Sequence, residues 1–338
     1  MTNLTFLFSV FVLAVLLTWM LRRYAVSRSI IDIPNARSSH SVPTPRGGGA
    51  AIVVIFLLAL PILAAMGFLN WTSVWCFVGA GAGIAVLGFL DDHGHIAARW
   101  RLLGHFTAAL FSIFWLGGMP DIILFGMNIG WAWLGNAFAV LYLVWMLNLY
   151  NFMDGIDGIA SVEAICACLG ASLIYWLGGF EFLAMTPLTL ATATAGFLCW
   201  NFPPARIFMG DAGSGFLGII LGLLALDAAW VSPNLFWVWL ILLGVFIVDA
   251  TVTLARRMVR GDKVYEAHRS HAYQFASRHY GRHLPVTLAV ALINMFWLLP
   301  LAAAVVLLNV DGALALTVAY VPLVLLAVRF HAGELEKI

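Results

Sequence analysis

Long apolar stretches alternate with short polar segments along the whole chain. A helix that crosses a bilayer needs about 20 mainly apolar residues. We predict eleven such spans, at residues 4–22, 49–68, 73–90, 102–118, 133–150, 158–177, 182–200, 214–231, 235–255, 285–308 and 312–329. The predicted fold is therefore an all-α polytopic membrane protein with a single integral membrane domain over residues 1–338.

Basic residues occupy only every second segment between these spans. All 17 Lys and Arg residues lie within one alternating set, formed by residues 22–48, 91–101, 151–157, 201–213, 256–284 and the tail 329–338. The intervening segments contain none. Because Lys and Arg collect in cytoplasmic loops, we predict that this set is cytoplasmic. The N-terminus is then periplasmic and the C-terminus cytoplasmic.

The composition supports a membrane protein. Hydrophobic residues make up 63% of the chain and charged residues only 10%, whereas soluble domains carry about 25% charged residues. The four cysteines all lie in apolar runs without a CxxC spacing, which argues against zinc or disulfides. The net charge of +1 is uninformative, because the distribution of charge matters more. We predict a lipid bilayer as the surrounding partner and no nucleic-acid partner.

One predicted periplasmic segment has a different character. Residues 121–133 place Gly126 and Asn128 between short apolar, β-prone runs. This pattern predicts a short β-hairpin.

Carboxylates recur at the span ends in the predicted cytoplasmic segments. Asp91 and Asp92 follow span three, where the helix dipole disfavours anions. A cation between them, or a proton on one of them, would explain this placement; the alternative is a solvated helix end. Arg99 and Arg101 follow closely and are placed to pair with these acids or to hold a phosphate.

A second polar series has three-residue spacing. Asn148, Asn151, Asp154 and Asp157 follow one sector of a helix that ends near Gly155 and Gly158. Asn148 lies inside an apolar span, where polar groups are usually functional. For Asp157 alone, an N-cap of the next span is an equal alternative.

The third acidic position is Asp211, within a small-residue loop that contains Gly210, Gly213 and Ser214. Such a loop at a helix N-terminus favours anions or a phosphate-bound metal. The alternative is an N-cap for span eight.

Two basic segments complete the predicted cytoplasmic face. In the first, the amides of residues 47–49 beside Arg46 are predicted to cradle a phosphate, with lipid contact as the alternative. In the second, His268, Arg269 and His271 indicate diphosphate recognition, with attraction to lipid headgroups as the alternative. Asp249, inside span nine, is read as an internal ion-pair or hydrogen-bond partner.

These segments together resemble the polyprenyl-phosphate N-acetylhexosamine-1-phosphate transferase family, and most closely its WbpL-like branch. The matching stretches are DIPNARSSH (32–40), PTPRGGG (43–49), FLDD (89–92), NLYNFMDGIDG (148–158), FMGDAGS (208–214) and RSHAYQ (269–274). One departure is the sequence of residues 268–271, His-Arg-Ser-His, where MraY-like members have adjacent histidines. It argues against a muramoyl-pentapeptide substrate.

The resemblance implies roles for individual residues. Asp91, Asp92, Asp154 and Asp157 are expected catalytic residues, and Asp211 with Asp92 the expected ligands of Mg²⁺, for which Mn²⁺ is a substitute. The expected substrate-binding residues are Asn35, Arg37, His40, Arg46, Arg101, Asn148, Asn151, His268, Arg269 and His271. The five segments between spans at residues 22–48, 91–101, 151–157, 201–213 and 256–284 are expected to form the active site.

The implied reaction transfers an N-acetylhexosamine-1-phosphate (GlcNAc or a 6-deoxy relative such as FucNAc or QuiNAc) from a UDP-sugar to undecaprenyl phosphate. UMP is released, and O-antigen or another surface polysaccharide is begun at the cytoplasmic face of a bacterial inner membrane. A homodimer is compatible with the family, although the sequence indicates no interface. The alternative is a transporter or flippase with carboxylate cation sites, but such acids lie inside spans, as only Glu163, Asp227 and Asp249 do here.

Overall fold

The computed structural model describes residues 2–34, 39–40, 42–94, 96–125, 127–129, 132–262 and 269–334. Within these residues the helices are α1 (Asn3–Ser27), α2 (Ala50–Ala65), α3 (Trp71–Gly94), α4 (Ala98–Leu116), α5 (Ala132–Met153), α6 (Ile159–Leu177), α7 (Glu181–Asn201), α8 (Asp211–Val231), α9 (Asn234–Leu242), α10 (Gly244–Arg260), α11 (Ala272–Tyr280), α12 (Leu284–Ile293), α13 (Leu299–Leu307) and α14 (Gly312–Arg329). A π-helical turn, Asn294–Leu298, joins α12 to α13.

The all-α polytopic membrane fold is confirmed. Every predicted span falls on a helix or on consecutive helices. Among the described residues, eight continuous helices are long and apolar enough to cross a membrane, and a bent pair makes a ninth. The helix α2 is apolar but has only 16 residues. Eleven crossings and their orientation therefore remain predictions.

The predicted span at 235–255 consists of two helices rather than one. The chain breaks at Leu243, and α9 and α10 meet at 72°. Hydropathy cannot show this break because the apolar run continues through it. Gly244 begins α10 in a tight contact, since a Cβ there would lie 3.1 Å from the Tyr320 ring and 3.2 Å from Leu323. The start of α10 is therefore packed directly on α14.

Helical structure extends into three of the predicted loops. The last turn of α3 contains Asp91 and Asp92, so the predicted loop 91–101 is reduced to a short link before α4. Asp211 is the first residue of α8 rather than part of a loop. The predicted loop 256–284 contains α11. In each case the helical residues include polar ones, and their low hydropathy made them look like part of a loop.

The helix α8 lies at the centre of the bundle, buried along nearly its whole length. Its glycines allow this position. A Cβ on Gly218 would lie 2.6 Å from the Met146 carbonyl oxygen, so the backbones of α5 and α8 touch there. A Cβ on Gly213 would lie 2.6 Å from the Gly49 Cα atom, at the start of α2. The N-terminus of α8 is thus held among three helices.

Two short hairpins complete the fold. The strand β1 (Ile31–Asp32) pairs antiparallel with β2 (Thr44–Pro45). The strands β3 (Ile122–Leu124) and β4 (Met127–Ile129) form the hairpin predicted near residues 121–133, with Ile122 opposite Ile129. The Trp237 indole N–H donates to the Ile123 carbonyl at 2.9 Å, which fixes this hairpin on α9.

The outer surface of the bundle is apolar. Phe114 of α4 is 81% exposed and Leu325 of α14 is 64% exposed. A soluble protein rarely shows large contiguous apolar surfaces, whereas lipid-facing helices require them. This surface agrees with a multi-pass membrane protein.

Candidate active site

The C-terminal end of α3 touches the N-terminal end of α8. A Cβ on Gly88 would lie 2.5 Å from the Ala212 nitrogen and 2.6 Å from the Asp211 carbonyl oxygen. Only glycine permits this backbone contact. It brings Asp91 and Asp92 to Asp211, although the two acidic groups are about 120 residues apart in the sequence.

Asp92 lies at the base of this group. Its Oδ1 accepts a hydrogen bond from Arg46 Nη2 at 2.6 Å and another from the Asp211 backbone N–H at 3.3 Å. Its Oδ2 is buried and has no hydrogen-bond partner among the residues that the structure describes. Gly210, with φ +78°, lies against this oxygen: a Cβ there would be 2.7 Å from it. One carboxylate oxygen thus remains available within the protein.

Asp91 precedes Asp92 in the last turn of α3 and has different partners. It accepts hydrogen bonds from the Ile96 backbone N–H and from Arg101 Nη1, both at 2.6 Å. The predicted pairing of Arg101 with these acids is confirmed. The same Arg101 nitrogen lies 4.0 Å from Asp211 Oδ2. Arg101 is therefore held between two carboxylates, and Asp91 fixes its position.

Asp211 is the most open carboxylate of the three, with a side chain that is 38% exposed. The Asn151 side-chain amide donates to Asp211 Oδ1 at 3.1 Å and to the Ser214 hydroxyl at 2.9 Å. The sequence placed Ser214 only in a small-residue loop, without a partner. Asn151 thus orients Asp211, whose Oδ2 lies 4.0 Å from Arg101 Nη1.

Asp157 is more enclosed. It accepts a hydrogen bond from the Ala205 backbone N–H at 3.0 Å, and its Oδ1 lies 3.2 Å from His283 Nδ1. The N-cap alternative for Asp157 is wrong, since Gly158 is the N-cap of α6. The two oxygens of Asp157 thus hold two different segments, one containing Ala205 and the other containing His283.

Asp154 is half-buried beside the acidic group. Burial raises its pKa well above the usual value, and the negative charges of Asp211, Asp92 and Asp157 raise it further. The unfolded chain loses the proton of this carboxyl at a pH of about 4, whereas the folded protein keeps it to higher pH. The free energy of unfolding therefore falls as the pH rises above about 4.

We therefore expect Asp154→Asn to melt a few degrees above the wild type at pH 8 in the absence of divalent ions. The difference in Tm should shrink as the pH falls towards 4, where the wild-type carboxyl is protonated. Thermal unfolding of both proteins in detergent across this range measures it. Glu181→Gln removes an exposed carboxylate and is the control. A difference in Tm that does not depend on pH would contradict this assignment.

The segment before α2 packs on the loop before α8. The Gly48 and Gly49 amides donate to the Phe208 and Met209 carbonyls, both at 2.9 Å. The predicted phosphate cradle is therefore wrong for these two amides, because the backbone of the neighbouring loop already binds them. Arg46, predicted beside that cradle, is bound to Asp92 instead.

The other predicted residues of this segment are His40, Asn35 and Arg37. The His40 ring packs edge-on against Phe208, with the ring centroids 4.8 Å apart. Its Nε2 is buried without a hydrogen-bond partner among the described residues. Asn35 and Arg37 lie outside the residues that the structure describes.

The segment around α11 is held by Asp249. This buried carboxylate accepts hydrogen bonds from the Ala272 and Tyr273 backbone N–H groups, at 2.9 and 3.0 Å, and lies 3.3 Å from His271 Nδ1. The predicted role of Asp249 as an internal partner is confirmed. His271 is only 2% exposed, which favours a positioning role over direct contact with a diphosphate. His268 lies outside the described residues, and the Arg269 carbonyl accepts from Arg278 at 3.3 Å.

Sequence reasoning missed Tyr273. Its hydroxyl donates to the Phe152 carbonyl at 3.0 Å, and Gly155 leaves room for this contact. Gly155 was the sequence signal for this contact. A glycine between Asp154 and Asp157 permits the close approach of another segment. Tyr273 joins α11 to the loop that carries Asp154.

His283 joins two further segments. Its Nδ1 faces Asp157, and its Nε2 lies 3.0 Å from the Ser39 carbonyl oxygen. Burial lowers the pKa of His283, but the hydrogen bond and charge of Asp157 outweigh burial and hold it above the usual value. In the neutral ring Nδ1 accepts a hydrogen bond from the Asp157 backbone N–H at 3.3 Å, whereas the protonated ring can donate to Asp157 Oδ1 and to the Ser39 carbonyl oxygen.

A raised histidine pKa stabilises the fold fully below the unfolded value of about 6.5, and this stabilisation is lost as the pH rises through the folded pKa. We expect His283→Gln to lower the Tm by a few degrees at pH 6, with a smaller difference from the wild type at pH 9. Differential scanning fluorimetry at both pH values measures it. His279→Gln, a change of a nearby exposed histidine, should show no such pH dependence. Equal differences at both pH values would contradict the bridge.

Two cavities meet at this group. The first, of about 530 Å³, is polar and is lined by Arg46, Asp92, Asp154, Asp157 and His283. The second, of about 430 Å³, has leucines and the base of Arg101 along its walls. Asn148 lies in the second cavity, with its amide nitrogen 3.2 Å from His105 Nδ1. Asn151 and Asp211 line both cavities. Groups bound in the two cavities would therefore meet at Asp211.

The carboxylates do not form a closed metal cage. Among the described residues, no group of three or more His, Cys, Asp or Glu side chains is arranged to hold a metal ion alone. Mg²⁺ does not need one, since it usually takes one or two carboxylates together with waters and substrate phosphates. The open Asp211 side chain and the unpartnered Asp92 Oδ2 fit that kind of site.

The sequence is similar to a family of glycosyl transferases and to several named sugar-phosphate transferases. Residues 74–229 match Glycosyl transferase family 4. A Bacillus subtilis (strain 168) protein named probable undecaprenyl-phosphate N-acetylglucosaminyl 1-phosphate transferase is 30% identical over 81% of this chain and 77% of its own length. A Thermotoga maritima protein named undecaprenyl-phosphate alpha-N-acetylglucosaminyl 1-phosphate transferase is 26% identical over 86% and 88%.

A third relative has a different name. The phospho-N-acetylmuramoyl-pentapeptide-transferase of Shouchella clausii is 30% identical over 72% of this chain and 79% of its own length. Because relatives with both kinds of name match at similar identity, identity alone does not select between their sugars.

Proposed function

Because the chain belongs to the polyprenyl-phosphate N-acetylhexosamine-1-phosphate transferase family, we propose that it transfers an N-acetylhexosamine-1-phosphate from a UDP-sugar to undecaprenyl phosphate and releases UMP. The observation that carries this proposal is the junction of two unlike cavities at Asn151 and Asp211. A reaction between a nucleotide sugar and a lipid phosphate needs one polar and one apolar site that share the reacting point.

The polar cavity is the proposed donor site. It is lined by His40, Arg46, Asn151 and His283, which can donate to phosphate or ribose oxygens. An adjoining cavity of about 540 Å³ adds Arg278 and Arg282. Cationic donors near the diphosphate would offset its charge.

The second cavity is the proposed acceptor site. Its walls include Ile84, Leu87, Leu102 and Leu147, which suit an isoprenoid chain, and Arg99 and Arg101 lie at its polar end. An acceptor phosphate beside Arg101 would lie next to Asp211. Its headgroup would thus reach the junction while its chain stays among apolar side chains.

The chemistry is a direct displacement. An oxygen of the acceptor phosphate forms a bond to the β-phosphorus of the donor, and the bond from that phosphorus to the bridging oxygen breaks. UMP leaves with the bridging oxygen and its electron pair. Since both reactants are anions, catalysis depends mainly on positioning and on neutralising charge.

A bound Mg²⁺ would neutralise the diphosphate and the leaving phosphate. Asp211 would hold it from the open side, and Asp92 Oδ2 offers a second oxygen in the buried side of the cleft. Asn151 orients Asp211, and Arg46 keeps Asp92 in place. Mn²⁺ is the expected substitute.

Asp91 is proposed to position Arg101 rather than to act as a base. A phosphate monoester has a second pKa near 6, so the acceptor is mostly a dianion at pH 7 without a base. Asp91 already accepts hydrogen bonds from Ile96 and Arg101. Asp154 and Asp157 are proposed to act in the donor site. Asp157 would do so indirectly, by holding Ala205 and His283 in place.

The finer assignments rest on the sequence. The His-Arg-Ser-His segment at 268–271 argues against a muramoyl-pentapeptide donor. On the resemblance of the loop segments to the WbpL-like branch, we propose an N-acetylglucosamine or 6-deoxy donor and a role in beginning O-antigen or another surface polysaccharide. The distribution of Lys and Arg supports an active site on the cytoplasmic face of a bacterial inner membrane.

The purified protein tests this proposal in a turnover assay. With Mg²⁺, undecaprenyl phosphate and UDP-N-acetylglucosamine, UDP-FucNAc or UDP-QuiNAc, UMP should form only when donor and acceptor are both present. A UDP-MurNAc-pentapeptide donor is the control and should give no product. UMP formation without the acceptor, or no product with any of the donors, would overturn the proposal.

A further inference from the structure

At the end of the bundle opposite the candidate active site lies a carboxylate that the proposed reaction does not use. Asp227 follows Asp211 by sixteen residues on α8, which is roughly 24 Å along the helix. The other two embedded acids have internal partners: Asp249 holds α11, and Glu163 accepts from the Asn294 amide at 2.6 Å. Asp227 is only half-buried.

Asp227 lines a cavity of about 500 Å³ between the ends of α2, α3, α4, α7 and α8. Its Oδ1 accepts a hydrogen bond from the Ser73 hydroxyl at 2.6 Å. Among the described residues, Ser73 is its only hydrogen-bond partner, and no Lys, Arg or His lines the cavity. The carboxylate therefore has no cationic partner from the described part of the chain.

Four aromatic residues stand among aliphatic ones in the other walls of this cavity. Trp115, Trp230, Phe182 and Phe68 line it. Aromatic faces attract cations, and proteins use them to bind the ammonium groups of ligands. A divalent metal ion would need more oxygen ligands than a single carboxylate provides. The combination of one carboxylate with aromatic walls suits an ammonium group better than a metal ion.

The depth of the cavity indicates a source for that ammonium group. Trp230 and Trp71, at the ends of α8 and α3, are half exposed, and tryptophans collect at the level of lipid headgroups. The Asn70 side chain and the Thr72 hydroxyl also line the cavity and can donate to a phosphate. The segments at this end of the bundle, such as residues 117–131 and 308–311, contain acids but no basic residue.

We propose that this cavity binds the ammonium group of an aminophospholipid headgroup, with Asp227 as its counter-ion and the aromatic residues as its walls. The site is separate from the transferase reaction. A free primary amine shares this chemistry, and the experiment distinguishes the two sources.

Native mass spectrometry of the full-length protein in detergent tests the proposal, with phosphatidylethanolamine and phosphatidylglycerol as lipid probes and ethanolamine as the free amine. The wild type should retain phosphatidylethanolamine in preference to phosphatidylglycerol. Asp227→Asn should weaken that retention by about tenfold. Glu181→Gln, which neutralises an exposed acid at the same end, should leave it unchanged.

Trp230→Leu provides a second variant that keeps the carboxylate. It should weaken retention of phosphatidylethanolamine about threefold, and it keeps the test decisive if Asp227→Asn does not fold. Competition by millimolar ethanolamine would support the ammonium chemistry with a free amine as a source, and resistance to it would support the lipid. Equal retention of phosphatidylethanolamine by the wild type and both variants would overturn the proposal.

Discussion

Asp211→Asn is expected to lower kcat by about 10³-fold or more, because it removes the open carboxylate where the two cavities meet. The substitution keeps the size of the side chain. The hydrogen bond from Asn151 can persist through the amide oxygen. The fold should therefore survive while turnover is lost. Steady-state release of UMP, measured beside the Tm of each protein, separates these two effects.

Asp262→Asn is a matched control for this prediction. Asp262 lies at the same end of the bundle and pairs with Arg257 and Arg260, away from both cavities. It should keep nearly full turnover. If Asp211→Asn retained more than a tenth of the wild-type kcat at saturating Mg²⁺, the junction at Asp211 would not be the reacting point.

Asp91→Asn is expected to lower kcat by about 10²-fold, since the loss of one charge loosens Arg101, and small displacements of a positioning group have effects of this size. The loss should be the same from pH 6 to pH 9. A positioning role does not depend on the protonation of the acceptor phosphate.

A double-mutant cycle with Arg101→Lys sharpens this test. If Asp91 acts through Arg101, the double variant should be little slower than Arg101→Lys alone. Full recovery of Asp91→Asn at pH 9 would instead identify Asp91 as a base. Additive losses in the double variant would show that the two residues act independently.

Much of this site followed from the sequence because its residues lie at span ends. Hydropathy located the spans, and the alternation of charge placed the segments with Asp91, Asp154 and Asp211 at one end of the bundle. The structure brings these segments together there. The β3–β4 hairpin was also predicted, since a turn between two β-prone runs is a local signal.

What the sequence did not predict depends on contacts between distant segments. The break at Leu243 lies within an unbroken apolar run, and the residue after it, Gly244, packs against Tyr320 and Leu323 of α14. The Gly48 and Gly49 amides have the spacing of a phosphate cradle, but carbonyls of residues 208–209 bind them. His271 has the chemistry of a diphosphate ligand, yet Asp249 holds it within the fold. The residue types suggested that these amides and His271 bind phosphate groups. Their hydrogen-bond partners in the folded protein show that they hold the fold together instead.

The central claim is that a divalent ion binds at Asp211 where donor and acceptor meet. Mn²⁺ bound to the purified protein can be counted by electron paramagnetic resonance, in which free Mn²⁺ gives a strong six-line signal and bound Mn²⁺ a weak one. In the presence of the UDP-sugar, the wild type and Asp262→Asn should bind Mn²⁺ alike, and Asp211→Asn should bind it at least tenfold more weakly. Equal binding by Asp211→Asn and the wild type would contradict the claim.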